Sequence, residues 1–167
     1  MPPQPPLLIR AARLITGLAG PSAGVDGAAV LVQDGRIRAA GPAPEVQAAA
    51  PPDAQVVDYP DCTLLPGLID AHVHLTFRRG ETSVEHVQRV SEHQALLRGV
   101  QVARQILAAG VTTVRDCASR GLTGQALRDG VRDGLIAGPR ILVSGPPVTT
   151  TSGHLWALGY ESDTVEQ

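Results

Sequence analysis

Residues Leu64 to Leu75 read LLPGLIDAHVHL. Pro66-Gly67 punctuates the run, Gly67-Leu68-Ile69 is short and apolar, and the segment closes on His72-Val73-His74. Side chains alternate faces along a β-strand, so His72 and His74 point the same way, about 7 Å apart. Two imidazoles placed so can converge on one metal ion, and neutral imidazole is a borderline-soft donor suited to Zn²⁺. The competing reading is a pair of hydrogen-bonded structural histidines. Position at the carboxyl end of a strand favours the ligand reading, because functional groups of parallel α/β architectures collect there. Two ligands leave a catalytic zinc site incomplete, so at least one more must come from elsewhere. Asp70 shares the parity of the histidines. It reads as a buried structural acid or a partner orienting an imidazole N–H, ahead of a direct ligand.

Upstream of this stretch the texture is short β. Leu7-Leu8-Ile9 opens a strand that Leu14-Ile15 continues, Pro21 to Gly27 is a loop, and Ala28 to Val32 is a strand. Asp34-Gly35 is a hairpin signal, since Gly tolerates positive φ, and Ile37 to Ala40 is the return strand. Gly41-Pro42 breaks it, an Ala-rich turn follows, and Val56-Val57 and Thr63 to Leu65 are further short strands. Leu7 to Leu65 therefore reads as a small all-β unit.

Downstream the pattern becomes β then α. Thr82 to Ala109 reads as one long helix, with Thr82-x-x-Glu85 as a capping box and Leu96, Val100, Ala103 and Leu107 as its apolar stripe. Val111 to Val114 is the next strand, and Gln125 to Ile136 a second helix with Leu127, Val131 and Leu135 on one face. Gly138-Pro139 ends it, Arg140 to Val143 is a third strand, and the remainder is loop. The order β-α-β-α-β implies parallel strands with right-handed crossovers. Periodicity alone leaves a doubly wound sheet and a (β/α)₈ barrel both open.

Composition narrows the function. The formal charge of −2 on 167 residues gives no electrostatic case for nucleic acid or an anionic membrane. No stretch approaches the ~20 apolar residues of a membrane span, and MPPQPPLLIR lacks the basic and apolar regions of a signal peptide. Cys62 and Cys117 form no CxxC pair, which suits reduced thiols and a cytoplasmic protein. No phosphate-binding glycine loop and no Gly-x-Ser-x-Gly elbow occurs. The chain contains no lysine; all 14 basic residues are arginine.

Other candidates are weaker. Arg115-Asp116 ends the second α/β strand and faces the same end as the histidines; a structural ion pair or loop cap competes with a site role. His154, in TTTSGH after the third strand, is a candidate substrate contact. His86 and His93 sit too far apart on the long helix for one metal and read as surface.

PGLIDAHVHL resembles the metal-dependent amidohydrolase superfamily. AVLVQDGRIRAAGP is similar to the small sandwich preceding the barrel in those enzymes, GVTTVRDC to their second barrel strand, and GPRILVSGPPVTTTSGH to the third strand and its loop. The combination is most similar to the imidazolonepropionase-like branch, including Xaa-Pro dipeptidase-like enzymes. The resemblance implies an α/β fold: a small β-sandwich in residues 1–65, then in 66–167 about three strands opening a (β/α)₈ TIM-type barrel. It implies one or two divalent metal ions, Zn²⁺ first, and hydrolysis of an amide, dipeptide or cyclic amide carbon–nitrogen bond by metal-bound hydroxide. His72 and His74 match the strand-one ligands, His154 a substrate-binding loop histidine, and Asp70 and Asp116 are expected to support them.

The pattern also needs a carboxylated lysine, two histidines and a catalytic aspartate from later strands, and these lie outside this chain. The expectation is an N-terminal part, inactive and poorly stable alone. Its partners would be a small-molecule or dipeptide substrate and the remainder of the barrel or a complementary chain, with homo-oligomerisation open. The rivals are a non-catalytic remnant or interaction module with a weak two-histidine site, and a metal-dependent deaminase.

Overall fold

The computed structural model describes residues 5–18, 20, 24–77 and 88–166. They divide into two units at Pro66/Gly67.

The first unit holds one four-stranded sheet, in the order β3-β2-β1-β4. Its strands are β1 (Leu7–Ile15), β2 (Gly24–Gln33), β3 (Arg36–Pro42) and β4 (Gln55–Leu64). β1 and β3 run antiparallel to β2, and β4 runs parallel to β1. Asp34 and Gly35 turn β2 into β3 with φ of 53° and 67°, the paired left-handed geometry that matches strand twist in a two-residue hairpin. Alternate residues of β2 feed different clusters. Ala29 and Leu31 pack with Leu8 and Val46, while Ala28 and Val30 pack with Leu14 on the opposite face.

Three sequence expectations change here. The Ala-rich turn is helix α1 (Ala43–Ala48), because Pro44 is tolerated in a first turn and Val46 has a buried slot to fill. β2 begins at Gly24, inside the expected loop, and residues 21–23 lie outside the described set. Val56 and Thr63 belong to one strand rather than two. β4 carries a register shift opposite Ala11/Arg13, where Pro60 can sit without breaking the ladder. Among the described residues this unit forms a single sheet with α1 on it; a second sandwich layer stays an expectation.

The second unit is built from parallel strands β5 (Leu68–Val73), β6 (Val111–Asp116) and β7 (Arg140–Val143), in that order. Helix α2 (Glu92–Ala108) links β5's side of the chain to β6, and α3 (Thr123–Arg132) links β6 to β7. Both helices pack on one face of the sheet. Leu75, Val114, Leu127 and Ile141 form the centre, with Leu96, Val100 and Ile106 of α2 and Val131 of α3 against them. The shape is the β/α repeat that opens a TIM-type barrel. After β7 come β8 (Val148–Thr149), a 3₁₀ turn over Trp156–Leu158 and β9 (Tyr160–Glu161), in what read as featureless loop.

The helix limits also move. α2 starts at Glu92, not Thr82: Ser91 Oγ accepts from Gln94 N–H and Gln94 Oε1 accepts from Ser91 N–H, a reciprocal cap. The expected box at Thr82 and Glu85 lies outside the described residues. On α2 the fully buried positions are Ala95, Gly99 and Ala103, and Leu107 faces outward. α3 stops at Asp133, with Gly134 at φ 73°, so Leu135 leaves the helical face and is 79% exposed. Among the described residues no helix is long and apolar enough to cross a membrane.

Candidate metal centre

Among the described residues β5 is an edge strand of its sheet; His72 lies at its carboxyl end and His74 directly follows its last residue. Its pairing with β6 slips between Asp70 and Val73, where three residues of β5 advance against two of β6. A bulge of this kind re-aims side chains. The rings of His72 and His74 lie 5.2 Å apart, edge to face, closer than the strand repeat of about 7 Å. Phe77 sits 5.2 Å from the His74 ring, tilted by 42°.

His72 is exposed and His74 half-buried. Burial lowers the pKa of His74 first, and the neighbouring His72 lowers it further; the Ala118 backbone opposes the shift and His154 adds to it. His74 is thus biased toward the neutral imidazole that can ligate a metal. Its Nδ1 is buried with no hydrogen-bond partner among the described residues. A neutral ring with an unsatisfied buried nitrogen, 5.2 Å from a second imidazole, fits a metal-binding pair. No group of three or more His, Cys, Asp or Glu side chains that could hold a metal ion converges among the described residues.

Asp70 accepts a hydrogen bond from the His72 main-chain N–H at 3.1 Å, which ties the acid to the backbone of its own strand rather than to a ring nitrogen. Asp116 is fully buried at the end of β6 and accepts from the Leu75 N–H at 3.2 Å. Burial pushes its carboxyl up to about 6, against the opposing pull of the Leu75 N–H bond and of the Ser119 and Ala118 dipoles, which lie near it without forming a well-aligned hydrogen bond. Arg115 is exposed and makes no ion pair with Asp116; of the two structural readings, ion pair or loop cap, the Leu75 N–H bond to Asp116 fits the cap.

His154 lies in a tight turn near enough to lower the His74 pKa. Ser152 and Leu155, on either side, hold φ of 58° and 60°, a conformation unfavourable for side chains other than glycine. Glu161 and Asp163 fix the turn by accepting from the Ser152 and Thr151 main chain, and the Thr151 hydroxyl bonds Asp163 as well. His93 is on the exposed surface of α2, and His86 lies outside the described residues.

Sequence reasoning missed the polar compartment behind the histidines. Ser119 Oγ and Asp116 Oδ2 are buried beside Gly124, and Gln125 Oε1 is buried near the start of α3; none of the three has a hydrogen-bond partner among the described residues. The available signal was polar residues clustered straight after a strand end, at Asp116, Ser119, Thr123 and Gln125.

Parallel β/α units with a histidine pair at the carboxyl end of the first strand define the opening of a TIM-type barrel of the metal-hydrolase kind. The amidohydrolase family model matches residues 63–167, and the chain belongs to that family. Members of this family are generally metal-dependent. The chain is 54% identical over 48 residues to N-substituted formamide deformylase of Arthrobacter pascens, covering 29% of this chain and 9% of that one. It is 34% identical over 94 residues to the imidazolonepropionase of Symbiobacterium thermophilum, covering 50% and 22%. A crystal structure of a Xaa-Pro dipeptidase with methionine bound in its active site superimposes with a TM-score of 0.73 at 27% identity, over 90% of this chain and 36% of that one. The chain therefore spans well under half the length of these relatives.

Proposed function

We propose that this chain supplies two metal ligands, His72 and His74, and a substrate contact, His154, to an enzyme that hydrolyses carbon–nitrogen bonds of amides, dipeptides or cyclic amides. The observation that carries the reading is the His72/His74 pair itself, with rings 5.2 Å apart and a buried unpartnered Nδ1, inside the span that matches the family. A divalent ion held there, Zn²⁺ for preference given imidazole donors, supplies Lewis acidity that polarises a carbonyl and activates water. The chain's own residues hold and orient. Asp70 fixes the His72 backbone, desolvation keeps His74 neutral, and the strained 152–155 turn presents His154 without conformational search. Because a catalytic zinc takes three protein ligands or more, the remaining donors come from elements other than the described ones, whether in the same polypeptide or a complementary chain.

The test compares wild type and His72→Ala in the assembled enzyme, with N-acyl amino acids, dipeptides, cyclic amides and aminopurines as substrates. Release of a free amino acid or ring-opened product, lost by at least about a thousandfold in the variant, supports the reading. Ammonia release from aminopurines alone would make it a deaminase. Unchanged turnover in His72→Ala would remove His72 from the metal site, and no turnover on any substrate would favour the non-catalytic module.

A further inference from the structure

The ladder that should hold the histidines in place is interrupted where they sit. Among the described residues β5 pairs with β6 alone, and the β5–β6 register slips between Asp70 and Val73. Two contacts from the end of β6 take over. Cys117 N–H donates to Val73 O at 3.0 Å, and Asp116 Oδ1 accepts from Leu75 N–H at 3.2 Å. Residues 73 and 75 flank His74, so β6 grips the backbone immediately before and after that ring.

The carboxyl that makes the second contact is costly to keep. Asp116 is fully buried, and its second oxygen, Oδ2, has no hydrogen-bond partner among the described residues. The compartment around it is closed. A Cβ placed on Gly124, in the first turn of α3, would lie 2.9 Å from Oδ2, 2.4 Å from Ser119 Oγ and 2.9 Å from a Val143 methyl. An apolar residue would fill this space without the desolvation penalty of an acid. What it would lose is the acceptor for Leu75 N–H, which no other described group replaces.

We propose that Asp116 is the positioning residue of the histidine pair: by accepting from the Leu75 N–H it fixes the backbone around His74 and sets the geometry in which His72 and His74 share one metal ion. The proposal rests on the reading of those two histidines as ligands. Asp116 touches neither the metal nor substrate; it acts through the main chain. Groups that orient ligands in this way typically contribute 10- to 100-fold to metal affinity.

The experiment is a Zn²⁺ titration of the full 167-residue chain, followed by calorimetry and by the His74 ring resonances in NMR. The variants are Asp116→Ala, Asp116→Asn and, as a control, His72→Ala. Asp116→Ala is expected to weaken zinc binding about tenfold or more and to shift the His74 ring resonances before zinc is added. Asp116→Asn keeps an oxygen acceptor at the same place and is expected to restore affinity to within about threefold, a rescue that a charge effect would not give. Zinc affinity and His74 resonances unchanged in a folded Asp116→Ala chain would overturn the proposal. If that variant does not fold, hydrogen exchange in the wild type decides. The Leu75 amide should be protected as well as the β6 amides, and exchange at the rate of an unbonded amide would overturn it. Zinc binding unaffected by His72→Ala would instead overturn the ligand reading. Loss in His72→Ala with full affinity in Asp116→Ala would overturn only the role of Asp116.

Discussion

The sheet of β1–β4 buries apolar side chains on both faces, whereas the parallel sheet of β5–β7 buries them on one. In the first, Ala29 and Leu31 feed one cluster and Ala28 and Val30 the other. In the second, Val114 and Ile141 lie under α2 and α3, while their strand neighbours Arg115, Arg140 and Leu142 are exposed together with Asp70 and His72. The β5–β7 sheet also leaves apolar side chains exposed, Ile69 at 73% and Leu142 at 49%, so its uncovered face is unfilled rather than polar. The two histidine candidates stand at the carboxyl end of β5, outside the cluster under the helices. Asp116 reaches the chain beside them from the packed side.

Paired truncations test this contrast in its strongest form. Leu31→Ala and Ile141→Ala each remove a buried branched side chain, 3% and 5% exposed, and should each cost about 3 kcal/mol in urea denaturation. In the first sheet the adjacent residue should also be expensive: Val30→Ala, on the opposite face, should cost about 2 kcal/mol. In the second it should not: Leu142→Ala, 49% exposed, should cost less than about 1 kcal/mol. A costly Leu142→Ala would show that the open face is packed after all.

A pH experiment sharpens the contrast at Asp116. Burial raises the Asp116 carboxyl from 3.8 to about 6, so its neutral form is the one the fold prefers. Its contribution to stability is complete below pH about 4 and is lost as pH rises through 6. The loss is on the order of 3 kcal/mol, and Asp116→Asn should abolish the slope in that window. His74 acts in the opposite sense. Its lowered pKa means that its contribution is present above 6.5 and is lost as pH falls through its folded value. The smallest effect belongs to the exposed Arg10–Asp58 pair that joins β1 to β4. Asp58→Asn should change stability by about 0.5 kcal/mol or less, and less again in high salt.

Much of this was legible in the sequence where the signal is local. The Asp34-Gly35 hairpin follows from the residues at the turn, and the His-x-His strand from parity and punctuation. Local signals also competed. Thr82-x-x-Glu85 and Ser91-x-x-Gln94 both satisfy a capping pattern, and only the packing of Ala95, Gly99 and Ala103 shows where α2 begins among the described residues. Leu135 fits the α3 period but falls beyond Gly134, whose positive φ ends the helix. The Asp116–Leu75 contact spans 41 residues, and no periodicity reports a bond of that range. The bulge that brings the two rings to 5.2 Å is equally silent, because it depends on how β5 registers with β6.

The central claim is that His72 and His74 act as one ligand pair, and the most direct measurement is a Zn²⁺ titration of the wild-type chain read at the histidine ring resonances. The account predicts that the His72 and His74 signals move together, saturating at one zinc per chain while His93 stays still. Movement of only one of the two, or movement of His93 along the same curve, would contradict it.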